Sequence, residues 1–191
     1  MARNNFFNLF FNPFTKEVKQ LAYGPEECRN IPCVGFSHPL TSPECVVIEL
    51  HHTSDDMTVY MTRLGKKEWE EFSFEDCYFC FVNVSPCFHN GAFYYLNNKG
   101  ELGIFKVVGE EDILWEEIVK PLPPFEISLY KIDPGGYYKC FLVECNGSLL
   151  LVFECAFGNW VQVFKLDESK MTWLQVESLE NWRVPRPGVQ P

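Results

Sequence analysis

Cys77-x-x-Cys80, with Cys87 and His89 close behind, is the densest set of metal-ligating residue types in the chain. Zinc takes thiolate and imidazole ligands, and a structural site closes with four of them. The spacing works against that chemistry. On a strand, residues three apart point to opposite faces, so Cys77 and Cys80 could share one ion only across a tight turn. The intervening Tyr78-Phe79 offers no such turn, and no second close pair completes the ligand set. Cysteine as a small buried core residue is the better reading.

Cys87 and His89 are alternate residues and so share a strand face, as a thiol nucleophile and its base would require. The sequence marks neither an oxyanion hole nor a carboxylate to orient the imidazole. Glu68, Glu70 and Glu71 around Trp69, and Glu110, Glu111 and Asp112 before Trp115, have the look of paired carboxylates. Their counterparts further on, Asp167 and Glu168, suggest solvated turns and strand edges, where charge discourages edge pairing. His51 and His52 are adjacent, project oppositely on a strand and make a poor metal pair. Asn90 and Asn146 belong to turns. There is no glycine-rich phosphate loop and no G-x-S-x-G elbow. The residue chemistry therefore predicts no catalytic, cofactor-binding or metal-ligating set, and no enzyme.

The elements that carry these residues are short strands. Aromatics make up 16% of the 191 residues, with 18 Phe, 8 Tyr and 5 Trp, and they favour a pleated, half-buried surface. Apolar runs recur at 6–11, 44–50, 57–63, 68–74, 77–84, 92–96, 102–107, 137–144, 148–154, 160–166 and 173–179. Breaks such as Asn90-Gly91, Asp133-Pro134-Gly135-Gly136 and Asn146-Gly147 separate them. Asn-Gly tolerates the positive φ that a two-residue type I′ hairpin demands, so "FHNGAFYYLNNKGELGIF" (88–105) reads as an antiparallel meander. The stretch 110–120 fits helix and strand equally on periodicity alone.

An internal repeat decides it. "NGAFYYL…LGIFKVVGEEDILWEEI" and "NGSLLLV…VQVFKLDESKMTWLQVESL" both run from Asn-Gly through a strand to Phe-Lys, an acidic turn and a Trp-led strand. A weaker third copy, "VVIEL…VYMTRLGKKEWEEF", carries Trp69. Trp69, Trp115 and Trp173 are 46 and 58 residues apart, and Trp115 in register with the others predicts a strand over 110–120. Four-stranded repeats of this length are propeller blades, which bury two faces by stacking on their neighbours. A β-sandwich is the competing architecture. The expected fold is all-β: a partial or open kelch-like β-propeller of about three to four four-stranded antiparallel blades. A fragment at 6–21 looks like the outer strands of an earlier blade. One domain covers 1–180, and a Pro-rich tail covers 181–191.

The formal charge of −10 opposes binding to phosphate backbones, and no polybasic run points to nucleic acid. The nine cysteines are an odd count without a secretory leader, which argues for a reducing, intracellular setting. Cytoplasm or nucleus fits; "MARNNFFNLFFNPFTKE" makes a poor organelle address and is far shorter than a membrane span. No membrane partner is expected.

The pieces "NPFTKEVKQL" (12–21), "FHNGAFYYLNNKGELGIF" (88–105), "YYKCFLVECNGSLLLVF" (137–153) and "VFKLDESKMTWLQVESL" (163–179) resemble the plant F-box-associated, kelch-like β-propeller family of KIB type. That resemblance implies a propeller that recruits a protein for ubiquitination, in chains whose F-box docks on the Skp adaptor of a cullin ligase. Two departures stand out. No Leu/Pro-rich helical F-box pattern precedes residue 12, so direct Skp-adaptor docking is not expected. After "VESL" the chain turns to "ENWRVPRPGVQP", where Pro185 and Pro187 bar a central strand. The expected function is a non-enzymatic protein-interaction module. Loops 24–32, 53–56 and 121–126 are its candidate contact regions. Enzyme on a propeller scaffold and truncated, non-functional family copy are the alternatives.

Overall fold

The computed structural model describes residues 9–11, 16, 18–20, 33–52, 56–66, 68–75, 85–97, 101–108, 112–118, 138–155 and 161–178. Among them are fourteen strands and no helix. A short hairpin, β1 (Leu9–Phe11) and β2 (Val18–Gln20), forms a 2-stranded sheet, at the place of the expected earlier-blade fragment. Three 4-stranded sheets follow. The first holds β3 (Cys33–Phe36), β4 (Val46–His52), β5 (Met57–Arg63) and β6 (Glu70–Phe74). The second holds β7 (Cys87–His89), β8 (Ala92–Leu96), β9 (Leu102–Val108) and β10 (Asp112–Ile118). The third holds β11 (Tyr138–Cys145), β12 (Ser148–Cys155), β13 (Val161–Asp167) and β14 (Thr172–Gln175). Within each sheet the strands pair in chain order, all antiparallel.

Turn chemistry sets these meanders. Asn90 (φ 47°) and Gly91 (φ 80°) close β7 onto β8, and Asn146 (φ 51°) and Gly147 (φ 71°) close β11 onto β12. Positive φ at both central residues is the type I′ geometry that matches strand twist. The ambiguous stretch at 110–120 is strand: β10 pairs with β9 over its whole length, with Trp115 opposite Phe105.

All five residues of β8 are buried, and parity explains why. Phe93 and Tyr95, with Phe105 of β9, pack on Ile48, Leu50, Met57, Val59 and Met61 of the first sheet. Ala92, Tyr94 and Leu96, with Leu102 and Ile104, pack on Leu149, Leu151, Phe153, Phe164, Leu166 and Trp173 of the third. The second sheet is thus covered on both faces, so every β8 side chain is apolar rather than every other one. Burying one such side chain contributes about 1.5–3 kcal/mol, against about 0.2–1 kcal/mol for a cross-strand pair. The layers between sheets therefore hold the array together.

The first strands of the three sheets, β3, β7 and β11, are neighbours, as the innermost strands of consecutive blades must be. Gly35 of β3 lies against Pro86 and Phe93. His38, just past β3, has its ring 5.6 Å from that of Phe88 in β7. On the face of the third sheet turned away from the second, Phe141, Val143, Val161 and Leu174 are 41–55% exposed.

Several expectations need adjusting. The inner strand β3 is an addition to the expected set, being short and hemmed by Pro32 and Pro39. The strand expected at 68–74 begins at Glu70, leaving Trp69 just outside it. The strand expected at 173–179 ends at Gln175. The run 77–84 and the tail 181–191 lie outside the described residues.

Candidate functional site

Cys77 and Cys80 lie outside the described residues, and among the described ones no group of three or more His, Cys, Asp or Glu could hold a metal. Cys87 and His89 do share one face of β7 and both are buried. Cys87 joins the apolar layer between the second and third sheets, where burial pushes its thiol up to about 11. Such a thiol carries almost no thiolate near neutrality, the reverse of what a nucleophile needs. Cys140 in the same layer is pushed up to about 12 by the same cause.

His89 has a partner that sequence reasoning missed. Its Nε2 lies 2.8 Å from Oε1 of Glu168, in the turn between β13 and β14. A carboxylate accepts only, so Nε2 carries the proton and donates. Asn90 Nδ2 donates to the same carboxylate, 3.2 Å from Oε1 and 3.0 Å from Oε2. The hydrogen bond from His89 holds the Glu168 carboxyl below its ordinary value. No local pattern could have revealed this contact, since the partners are 79 residues apart. The repeat did hold a signal: the Asn-Gly turn of one copy and the acidic turn of the next fall at the same end of adjacent sheets.

Asp167 accepts from the Ser169 hydroxyl at 2.6 Å and backbone N–H at 3.1 Å, and the Ser169 hydroxyl lowers its carboxyl. Glu68 and Glu71 are exposed and Glu70 is half-buried. Glu110 and Glu111 lie outside the described residues; Asp112 opens β10. His51 Nε2 lies 2.9 Å from Oε1 of buried Glu49, so it is engaged within its own strand, while His52 is the last residue of β4. Asn90 and Asn146 are turn residues as expected, and Asn90 has the added contact to Glu168.

Trp69 packs on Cys45 and Val47, on the face of the first sheet opposite the second. Trp173 is buried against the second sheet. The strand registers differ, since Trp115 pairs with Phe105 while Trp173 pairs with Leu166.

The sheets also share a direction. The end of β3 meets β7 through His38 and Phe88, and the β7–β8 turn meets the β13–β14 turn through Asn90 and Glu168. Strand order then puts the start of β3, the facing ends of β4 and β5 at His52 and Met57, the end of β10 and the start of β11 at the opposite end. Of the candidate contact regions 24–32, 53–56 and 121–126, all but Asp56 lie outside the described residues.

Successive four-stranded meanders, stacked face to face with their first strands adjacent, define a β-propeller array. A family model described as KIB1-4 beta-propeller matches residues 3–184, and the chain belongs to that family. An F-box protein of Arabidopsis thaliana is 26% identical over 184 residues, covering 92% of this chain and 45% of the relative. An F-box/kelch-repeat protein of Arabidopsis thaliana is 30% identical over 172 residues, covering 90% of this chain and 46% of the relative. The chain thus spans less than half the length of these relatives. No solved structure gives a significant match.

Proposed function

We propose that the chain is a non-enzymatic protein-interaction module, related to the substrate-recruiting propellers of F-box proteins and working in a ubiquitin-ligase context. Its partner is a protein, met inside the cell, and neither nucleic acid, membrane nor cofactor takes part. The observation that carries the reading is the common direction of the sheets. Stacked layers hold the strands in a common direction, and the contact loops in this reading are 24–32, 53–56 and 121–126. A rigid scaffold presenting variable loops from one end is how proteins build recognition surfaces. The buried thiol of Cys87 and the engaged imidazole of His89 support the non-catalytic part.

The test is affinity purification from plant tissue with mass spectrometry. The chain should enrich a defined protein that a version with 53–56 and 121–126 replaced by Gly-Ser does not. Equal enrichment by both, or stoichiometric metal and turnover in a hydrolase and oxidase screen, would overturn the reading.

A further inference from the structure

We propose that His89, Asn90 and Glu168 form a proton-released latch between the second and third blades: while the Glu168 carboxylate is ionised it locks the two blade tips together, and its protonation frees them. The geometry is that of a lock. His89 comes from the end of β7 and is only 2% exposed, so its donor meets the carboxylate from the buried side of the seam. Asn90 is pinned by its turn at φ 47° and reaches both oxygens of one carboxylate. Glu168 sits in a turn that is itself fixed, with the Lys170 N–H donating to the Asp167 carbonyl at 3.2 Å and Met171 at φ 50°. Neither side can follow the other if the contact is lost.

The trigger is accessible although the lock is buried. The Glu168 side chain is 42% exposed against 1% for His89, so a proton reaches the carboxylate directly. A protonated carboxyl offers one oxygen as a hydroxyl, which faces the Asn90 NH2 or the imidazole N–H with a donor where an acceptor is needed. The charged groups around the cluster are few. Lys165 of β13 acts on Glu168 in the same sense as His89. Tyr94 of β8 has its ring 5.8 Å from that of His89 and feels the negative charge of Glu168 and of Glu116 in β10. Glu144 of β11 bears on Cys87, two residues before His89. Asp167 titrates in the same acid range and is bonded within its own turn. Beneath the latch lies the layer of Tyr94, Leu149, Phe164 and Trp173, which opening would expose.

Hydrogen exchange at several pH values, expressed as protection relative to the intrinsic rate, reads the latch without any mutation. Acid should lower protection in peptides over 87–96 and 161–173 about tenfold or more, while 46–63 in the first sheet keeps its protection. Glu168→Gln, which replaces one acceptor oxygen with an NH2, should show the opened pattern already at pH 7 and lose the acid response of the seam. Asp167→Asn should keep both the lock and the response. Simultaneous loss of protection at the seam and at 46–63 in the native chain would overturn the proposal. So would a Glu168→Gln chain as protected at pH 7 as the native one.

Discussion

Gly35 of β3 lies against Pro86, so closely that a methyl group on its Cα would overlap the proline ring, and would stand 3.2 Å from Cδ1 of Phe93. Two innermost strands meet here, and the missing side chain sets their separation. Gly35→Ala should therefore destabilise by about 1–3 kcal/mol, the usual cost of overpacking a filled site. Urea unfolding would show it as a lower midpoint with unchanged slope. An unchanged midpoint would mean that the inner strands do not meet as described.

The double-sided burial of the second sheet makes a related claim. Phe105 is fully buried, with its ring 5.1 Å from Tyr95 and 5.9 Å from Phe74 of the first sheet. Phe105→Ala should cost about 3–5 kcal/mol, enough to unfold a marginal domain. Leu174, 53% exposed on the outer face of the third sheet, should cost no more than about 0.5 kcal/mol when changed to Ala. Thermal melting of the two variants side by side measures the contrast. Equal effects would refute the stacked arrangement.

Which parts of this were legible in the sequence follows from how far apart the interacting residues lie. The Asn-Gly turns are local chemistry, readable as type I′ hairpins. The copies carrying Phe105-Lys106 and Phe164-Lys165 repeat a burial requirement, so the repeat revealed both blade architecture and the strand nature of 112–118. The inner strand β3 escapes notice because four residues beside prolines carry too little periodicity, and its burial comes from neighbours distant in the chain. The repeat puts the turns of His89 and Glu168 at one end of adjacent sheets, but the pairing itself is illegible for a different reason. Glu168 looks like an ordinary solvated turn acid, and only the stacking of one blade on the next brings it to a buried imidazole.

The hairpin turns test the local reading by themselves. Gly147 has φ 71°, and a methyl group on its Cα would meet nothing within 4 Å, so backbone conformation alone opposes substitution there. Gly147→Ala should cost about 1–2 kcal/mol, the penalty of the left-handed region for an L-residue. Gly147→Asn should cost less, since Asn tolerates that region. Denaturant midpoints for the pair should rank native, then Asn, then Ala.

The thiols distinguish an inert layer from a reactive site. Burial holds Cys87 near 11 and Cys140 near 12, so at pH 8 both are almost wholly protonated. Iodoacetamide should leave these two unmodified in the folded chain and alkylate them once urea is added, as peptide mass spectrometry would show. Rapid labelling of Cys87 under native conditions would reopen the case for a thiol nucleophile.

Tyr95 extends the linkage argument to alkaline pH. It is wholly buried between the first and second sheets, and loss of solvation raises its hydroxyl well above the ordinary 10.0, with Cys33 adding to the effect. The unfolded chain releases this proton near the ordinary value, whereas the folded chain retains it. A group whose folded value is raised contributes stability that is fully present below the unfolded value and is lost as pH rises through the folded one. Stability should therefore be flat in this term up to about pH 10 and decline above it. Tyr95→Phe removes the ionisable group while keeping the ring that packs edge-on against Phe105. Urea midpoints measured from pH 8 to the alkaline limit should fall less steeply for Tyr95→Phe than for the native chain. Parallel declines would show that Tyr95 ionises as readily in the folded layer as outside it, and that the seam between the first two blades is wet.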